Sequence, residues 1–574
     1  MRYPRPPGSA AAGVVVLIVC LLAGVNPMFP PAEEPKDLGV PFAPSGEPER
    51  HDPNGGTVPR PVPSAAKPPS GGFFHGRKEP FNMTSSNRVR LAGVLEAVPG
   101  TTPVTPRLRQ QRVTSIGLTY KTDYEESGEL RDDRMNADPL SVGQSNGGQI
   151  GIEWHYPVPG SLLDSEIVSA FCADWVNTPF RDNDGLPASA VTSVSADAQV
   201  VAMTDGPAFA AGHLVRFTGF EAANNGVRKV TAGSATAPAF AGGGLLDEAA
   251  PGAAARLKVV GFEGASGDLA TTLTGLGSTA LDFTTLGLSV GQWIKIGGTT
   301  DAYRYGTAVC NAWVRIVGIA PHELALDNRP AGWAVDAGAD KTIRVWHGDV
   351  IKNGSLVRSV TLERGFLEQN PPSFIAQTGM RVNSLEFGGE AKKPATGTVA
   401  FMGMKGGSSG VALDVAPADA PDMVDYPAMA FSANCGRIGV GGAALGNPDW
   451  ARAIKFTITN NLSTRDALSD GDGTAPAAVA IRDGACDVKV ELDTYFGSRA
   501  LLSRIESGEK IGVNCRLQKC GRAMIWESPR LTAREGDPGV GGKSQDVTLP
   551  AQLTASRDPL TNAQLILNRI EFFQ

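Results

Sequence analysis

The sequence predicts a mainly β fold: a duplicated β-sandwich or barrel with one flanking helix per copy, plus an insert of two small β modules. Three observations carry that expectation. Sixty-nine glycines and 42 prolines in 574 residues favour many short strands and turns, and long helical periodicities are nearly absent. A strand running into an amphipathic helix occurs twice, at 149–171 and again at 487–506. Between the two copies, residues from about 177 to 352 turn Gly/Ala/Thr-rich and contain two similar passages.

The length allows two to four domains, and 42% hydrophobic content is ordinary for packed globular units. The net charge of -7 leaves no basic footprint for tight nucleic-acid binding, which needs clustered Lys and Arg to displace counterions. Seven cysteines without a CxxC or a paired Cys/His spacing argue against structural zinc. Cys515 and Cys520 read as buried or free thiols.

Arg2 and Arg5 precede an apolar run at 10–25 that resembles a signal-peptide core or a short membrane anchor. A Pro-rich, charged tract follows and is expected to be disordered. Met83-Thr84-Ser85-Ser86-Asn87 looks like a second natural start, and Lys78-Glu79 can be encoded as a ribosome-binding sequence. Translation is therefore expected to begin at Met83, with 1–82 a mis-called leader.

From Met83 the chain reads as follows. Arg88 to Val98 alternates apolar positions, and Val113 to Tyr120 alternates with period two, as a half-buried strand does. Asp123 to Asp138 is strongly charged with no apolar face. Its plain reading is a solvated loop, and its sharper reading is an arm that reaches a neighbouring subunit. Gln149 to Tyr156 is a strand. The helix after it carries Leu163, Ile167, Val168, Phe171, Cys172 and Trp175 on one face, as a core-facing helix requires.

Within the insert, 209–219 resembles 288–298, and each passage is followed by further short strands. That spacing indicates tandem β modules. Strands are then expected at 356–363, 379–387 and 396–403, and a flexible Gly/Ser joint at 405–410. The order repeats with Ile454–Thr459, the charged stretch Arg465–Asp472, the second strand–helix unit, and strands at 511–517, 523–531 and 545–553. Only a Ser507-Gly508 turn stands where the first copy has its insert, which places the insert at a tolerant loop tip. The expected organisation is 1–82 leader, 83–180 with 353–405 as a first discontinuous domain, 181–352 as insert, and 406–574 as second domain.

Few chemical constellations appear. The six histidines are scattered without a metal spacing such as HExxH. Asp470-Gly471-Asp472-Gly473 lacks the later acidic ligands of a calcium loop, and Gly406–Gly410 lacks the lysine of a phosphate loop. No catalytic, cofactor-binding or metal residue is assigned, and the expectation is a structural or binding role rather than an enzyme.

The residues also resemble a family. Asn87-Arg88-Val89, Pro99-Gly100-Thr101-Thr102-Pro103, Ser127 to Arg134, Val142-Gly143-Gln144-Ser145, Ser359 to Phe366, Thr378-Gly379-Met380-Arg381-Val382-Asn383-Ser384 and Arg557-Asp558-Pro559 are similar to phage tail tube proteins of the long-tailed, non-contractile kind. The resemblance covers most of 83–180 and 353–574. It implies β-sandwich or barrel subunits in stacked rings that conduct DNA during ejection. It also implies a virion tail location after synthesis in the bacterial cytoplasm, with tape-measure and tail terminator proteins as partners.

If single-copy relatives form sixfold rings, a duplicated chain is expected to form a trimer with pseudo-sixfold symmetry, a hexamer being the alternative. The insert is expected outside the tube. The competing reading is an exported or inner-membrane-anchored adhesin or carbohydrate-binding protein, with membrane contact only if 10–25 is real. A third, a secreted polysaccharide-degrading enzyme, has only abundant carboxylates behind it.

Overall fold

The computed structural model describes residues 85–183, 190–468 and 478–573. The leader, the apolar run at 10–25, the start at Met83 and the Asp470–Gly473 segment lie outside the described residues. The fold is mainly β.

Its labelled elements are β1 (Val89–Glu96), β2 (Ser115–Glu125), β3 (Leu140–Glu153), α1 (Leu162–Phe171), β4 (Ser359–Phe366), β5 (Ser373–Glu390), β6 (Thr396–Met402) and β7 (Lys405–Ser409). They continue with α2 (Phe431–Asn434), β8 (Cys435–Val440), β9 (Ala451–Thr459), β10 (Asp487–Tyr495), α3 (Ala500–Ser507), β11 (Ile511–Lys519), β12 (Arg522–Gly536), β13 (Thr548–Ala555) and β14 (Ile566–Glu571).

Eight antiparallel strands form one layer, in the order β2–β3–β6–β5–β9–β10–β13–β12. The long strands β5 and β12 each serve two neighbourhoods. Ser373–Met380 pairs with β4, which pairs with β1, while Ser384–Glu390 pairs with β9. Likewise Arg522–Leu531 pairs with β11, which pairs with β8, while Leu531–Gly536 pairs with β13. A register shift marks the change of partner in β5, between Val382 and Ser384. Such irregularities bend a strand and let it leave one layer for another.

Alternation decides what lies between the layers. Leu118, Ile150, Val399, Leu385, Phe387, Phe456, Val490 and Leu553 come from all parts of the eight-stranded layer, and all are buried in one continuous core with α1. Trp526 of β12 stacks on Phe387 of β5 at 4.8 Å with a 7° interplanar angle, and meets Trp154 edge-on at 5.2 Å. Residues far apart in sequence thus share one hydrophobic interior.

Several details depart from expectation. The strand before α1 ends at Glu153, because the Trp154 amide turns aside to donate to the Ala395 carbonyl. Helix α1 stops at Phe171, where Cys172 takes a left-handed φ of 48°, so Cys172 and Trp175 belong to the core but not to the helix. The Gly/Ser joint is a strand, β7, paired with β5. The charged segment begins with strand, since β2 and β3 remain paired as far as Glu125 and Leu140.

The helices differ in burial. Eight of the ten α1 residues are buried, against only Leu501 in α3. Glu166 of α1 is fully buried, with Gln111 Nε2 donating to it at 2.7 Å, and burial pushes its carboxyl up to about 8. It is neutral in the fold and ionises in the unfolded chain above about 4.5.

The segment Thr378–Ser384 makes specific use of its residue types. Gly379 sits at φ +65°, and a Cβ there would lie 2.6 Å from Met404 Cγ. Its amide donates to Glu96, which also accepts from Ser359 and Thr361. Asn383 Oδ1 accepts from the Leu462 amide, and Arg381 pairs with Asp483, so one short segment ties early strands to late ones.

The insert forms two modules with separate cores. One is built on Phe209, Val215, Phe217 and Leu257, the other on Phe283, Ile294, Ile316 and Val345. The similar passages place strands at His213–Thr218 and Trp293–Ile296, and pairing of Gly261–Glu263 with Arg344–Trp346 joins the modules into one sheet. Trp293, Trp313 and Trp346 pack against Ala523, Ile525 and Ile570. On β12, Met524 and Trp526 point to the main core while Ala523 and Ile525 point to the insert. The strand Asp349–Lys352, though numbered within the expected insert, pairs with β14.

Two outcomes are expected of these interiors. Trp526→Ala removes the ring shared by all its neighbours and destabilises the chain by about 3–5 kcal/mol in denaturant unfolding. Glu166→Gln acts through pH. Between about 4.5 and about 8 the unfolded chain releases a proton that the folded chain keeps, so wild-type stability falls as pH rises through that window. The variant loses this slope and gains up to roughly 3 kcal/mol over wild type at neutral pH, as paired urea titrations at acidic and neutral pH would record.

Candidate functional site

The other face of the eight-stranded layer has no core against it. Register places Gln149 and Glu153 of β3, Thr396 and Thr398 of β6, and Ser384 and Glu386 of β5 on this face. Lys455 and Thr457 of β9, Lys489, Glu491 and Asp493 of β10, Gln552 and Thr554 of β13, and Thr532 and Glu535 of β12 continue it. None of these side chains is buried. Period-two alternation is the cause: in Lys489-Val490-Glu491-Leu492-Asp493 each apolar residue enters the core and each charged one leaves it.

The face is hydroxyl- and amide-rich with an excess of carboxylates. Lys455 lies 3.3 Å from Glu491 and 3.9 Å from Glu386, and Arg452 lies 3.3 Å from Asp493. Lys455 is thus shared between two acids, which leaves negative charge uncompensated. Around Glu386, Lys455, Glu491 and Gln552 the surface is concave, with a hollow of about 510 Å3. A hollow so polar and open offers little apolar grip for a small ligand.

The layer ends in two open edges. Among the described residues β2 pairs with no strand but β3, with Arg364 Nη1 and Gln377 Nε2 donating to its Leu118 and Thr119 carbonyls, and Thr532–Gly536 pairs with β13 alone. Beside the β2 edge lies a groove of about 680 Å3 lined by Arg112, Arg364, Glu153 and Met423. Burial lowers both arginine pKa values from their usual range. Arg112 Nη2 donates to the Tyr426 carbonyl and Arg364 Nη1 to the Leu118 carbonyl, while Arg112 Nη1 and Arg364 Nε have no hydrogen-bond partner among the described residues. Exposed strand edges of this kind are templates for pairing with another chain.

Between β2 and β3, residues 126–139 form a mostly exposed connection without strand or helix. Its charges are partly self-compensated, with Arg131 2.5 Å from Asp133. Leu130 and Met135 are exposed along it, and Leu140 and Val142 are exposed at the start of β3. The corresponding charged stretch in the second half, Arg465–Asp472, is described only as far as Leu468, which is also exposed.

Among the described residues, no group of three or more His, Cys, Asp or Glu side chains is placed to hold a metal ion. Cys515 is buried, Cys520 is exposed, and both are free thiols. No described helix is long and apolar enough to cross a membrane.

Sequence reasoning left open which carboxylates share a face. The signal was present in the alternation of β10 and β13. Only pairing across four strand junctions, from β3 through β6, β5 and β9 to β10, shows that Glu153, Glu386 and Glu491 stand on one surface. A family model described as phage tail tube protein matches residues 86–555. No curated protein matches the chain.

Proposed function

This chain belongs to the phage tail tube protein family, and from that premise we propose how its copies close a ring. It is a structural protein of the virion tail, a subunit of a stacked oligomeric tube, and its proposed role is mechanical rather than catalytic. The two halves are read as copies of one tube domain. In each, a hairpin (β2–β3; β9–β10) pairs with a following strand (β6; β13), which pairs with the far end of a long bent strand (β5; β12).

One observation carries the assembly. Inside the chain, the far end of β5 pairs with β9, the outer strand of the second hairpin. The equivalent partners across the chain are Thr532–Gly536 and β2, and both are open edges. Pairing the β12 edge of one copy with the β2 edge of the next repeats the internal junction and continues the layer from chain to chain. Such head-to-tail contacts close when the rotation per chain divides a full turn. Because each chain supplies two equivalent units, three chains close a pseudo-sixfold ring.

The half-covered helix α3 supports the same reading. α1 is covered partly by the second half, with Asn460 Nδ2 donating to the Ala170 carbonyl at 3.0 Å. α3 stands at the equivalent place and lacks such cover until a neighbour arrives. Charge fits as well: the Arg112 and Arg364 groove would face the acidic Glu535–Asp537 segment of the next chain.

The polar face then lines the lumen. DNA slides past hydroxyls, amides and an excess of carboxylates, since cationic walls would hold phosphates by counterion release. The tape-measure protein occupies the same channel during assembly, and a terminator protein caps the last ring. The insert lies on the outside, because its tryptophans cover the side of β12 away from the main core. The 126–139 arm reaches the adjacent ring, where its exposed Leu130 and Met135 find cover.

Two measurements test this. Gly117→Cys with Arg534→Cys places one thiol on each edge, at the pair equivalent to Thr457 and Glu386. Oxidised tubes should give covalent trimers on denaturing gels and three-chain rings in cryo-EM averages. Rings of six whole chains, or thiols that never cross-link, would overturn the closure. Deleting 127–138 should leave rings that no longer stack, and normal tubes from that variant would sink the role of the arm.

A further inference from the structure

The second insert module contains a cavity of about 590 Å3 that the tube reading does not use. It opens between Gly297-Gly298, the segment Asp301–Asn311 and Lys341. Its lining brings Lys295, Arg304 and Lys341 together against one carboxylate, Asp301, which is engaged by Arg304. In a chain of net charge -7, this is a local concentration of positive charge.

Lys295 is the telling group. It projects from Trp293–Ile296, with its Nζ donating to the Gly297 carbonyl at 2.6 Å and standing 5.6 Å from the Phe572 ring. Burial first, and then the neighbouring Arg516 charge, push its ammonium down to about 8. A lysine held out of water beside a second cation gains most from an anion. Lys341, also in the lining, is half-buried and has no carboxylate partner among the described residues. Gly297, Gly298 and Gly306 line the remainder with bare backbone, so a ligand can approach the chain closely.

We propose that this cavity binds a compact oxyanion, a phosphate or a sugar carboxylate, through Lys295 and Lys341 with Arg304 at the rim. Its volume suits a monosaccharide-sized molecule. The site is independent of ring closure, since all its residues belong to one module of one chain.

Calorimetric titration of the purified full-length chain tests it, with inorganic phosphate, glucose 6-phosphate, glucuronate and neutral glucose as probes. At least one anion should saturate one site per chain while glucose does not. Lys295→Met and Lys341→Ala should each weaken that binding about tenfold with the unfolding temperature unchanged. Equal affinity for inorganic phosphate and glucose 6-phosphate marks a bare phosphate site, and a preference for either anionic sugar marks a saccharide site. Should Lys295→Met unfold more easily, Lys341→Ala alone decides. No saturable binding of any anion, or binding that Lys341→Ala leaves intact, overturns the proposal.

Discussion

One stacking contact sets the shape of everything else: Trp526 lying flat on Phe387 at 4.8 Å. The two rings come from β12 and β5, so the contact makes a single interior out of both halves. Residues of both halves then share one continuous hydrophobic core. Burying a large aromatic pair stabilises the chain by its area and adds about 0.5–1.5 kcal/mol for ring geometry. Once that interior is shared, the eight strands form one layer, and one whole face of the layer is left to solvent. Alternation with period two makes that face polar without a separate design step.

The second constraint is electrostatic and fixes the insert. Asp349 is fully buried and receives Lys258 of the first module and Arg569 of β14, each at 2.7 Å. Arg569 also reaches Asp164 of α1 at 2.5 Å. Burial alone would raise the Asp349 carboxyl, but the two cations hold it well below the usual range. Trp293 Nε1 donates to the buried Glu527 at 2.5 Å, and Arg315 pairs with the same carboxylate. Removing one partner from such a network leaves a buried charge uncompensated, which costs far more than a surface pair does. The insert is therefore locked to the body by charge as well as by tryptophan packing.

Much of this was legible in the sequence, and the remainder has physical reasons for being hidden. Strands with clean alternation, such as Asp487–Tyr495, were placed to the residue because each side chain has one favourable face. The Gly/Ser run at 405–409 was misjudged as a joint. Its strand character comes from pairing with Phe374–Thr378, which no local preference encodes. Glu166 was missed as a core residue because a carboxylate on a helix ordinarily faces water. Its burial depends on Gln111, which lies 55 positions away. The polar face was invisible for the same reason: its members are neighbours only across strands, and register is a tertiary property.

The proposed duplication would also change the energetics of closing the proposed ring. Six separate subunits each lose translational and rotational freedom on joining, a cost estimated at roughly 4–15 kcal/mol per association. In the proposed ring of two-unit chains, half of the junctions would form within the molecule, where the β5–β9 pairing is already made at folding. The partner unit is held at high effective concentration by its own linker. The remaining proposed junctions would then need to be specific rather than individually strong, which agrees with the short edge at Thr532–Gly536. The proposed closure would also account for the different burial of the two helices. α1 meets its covering strand within the chain, whereas in the proposed ring α3 would be covered by the next copy.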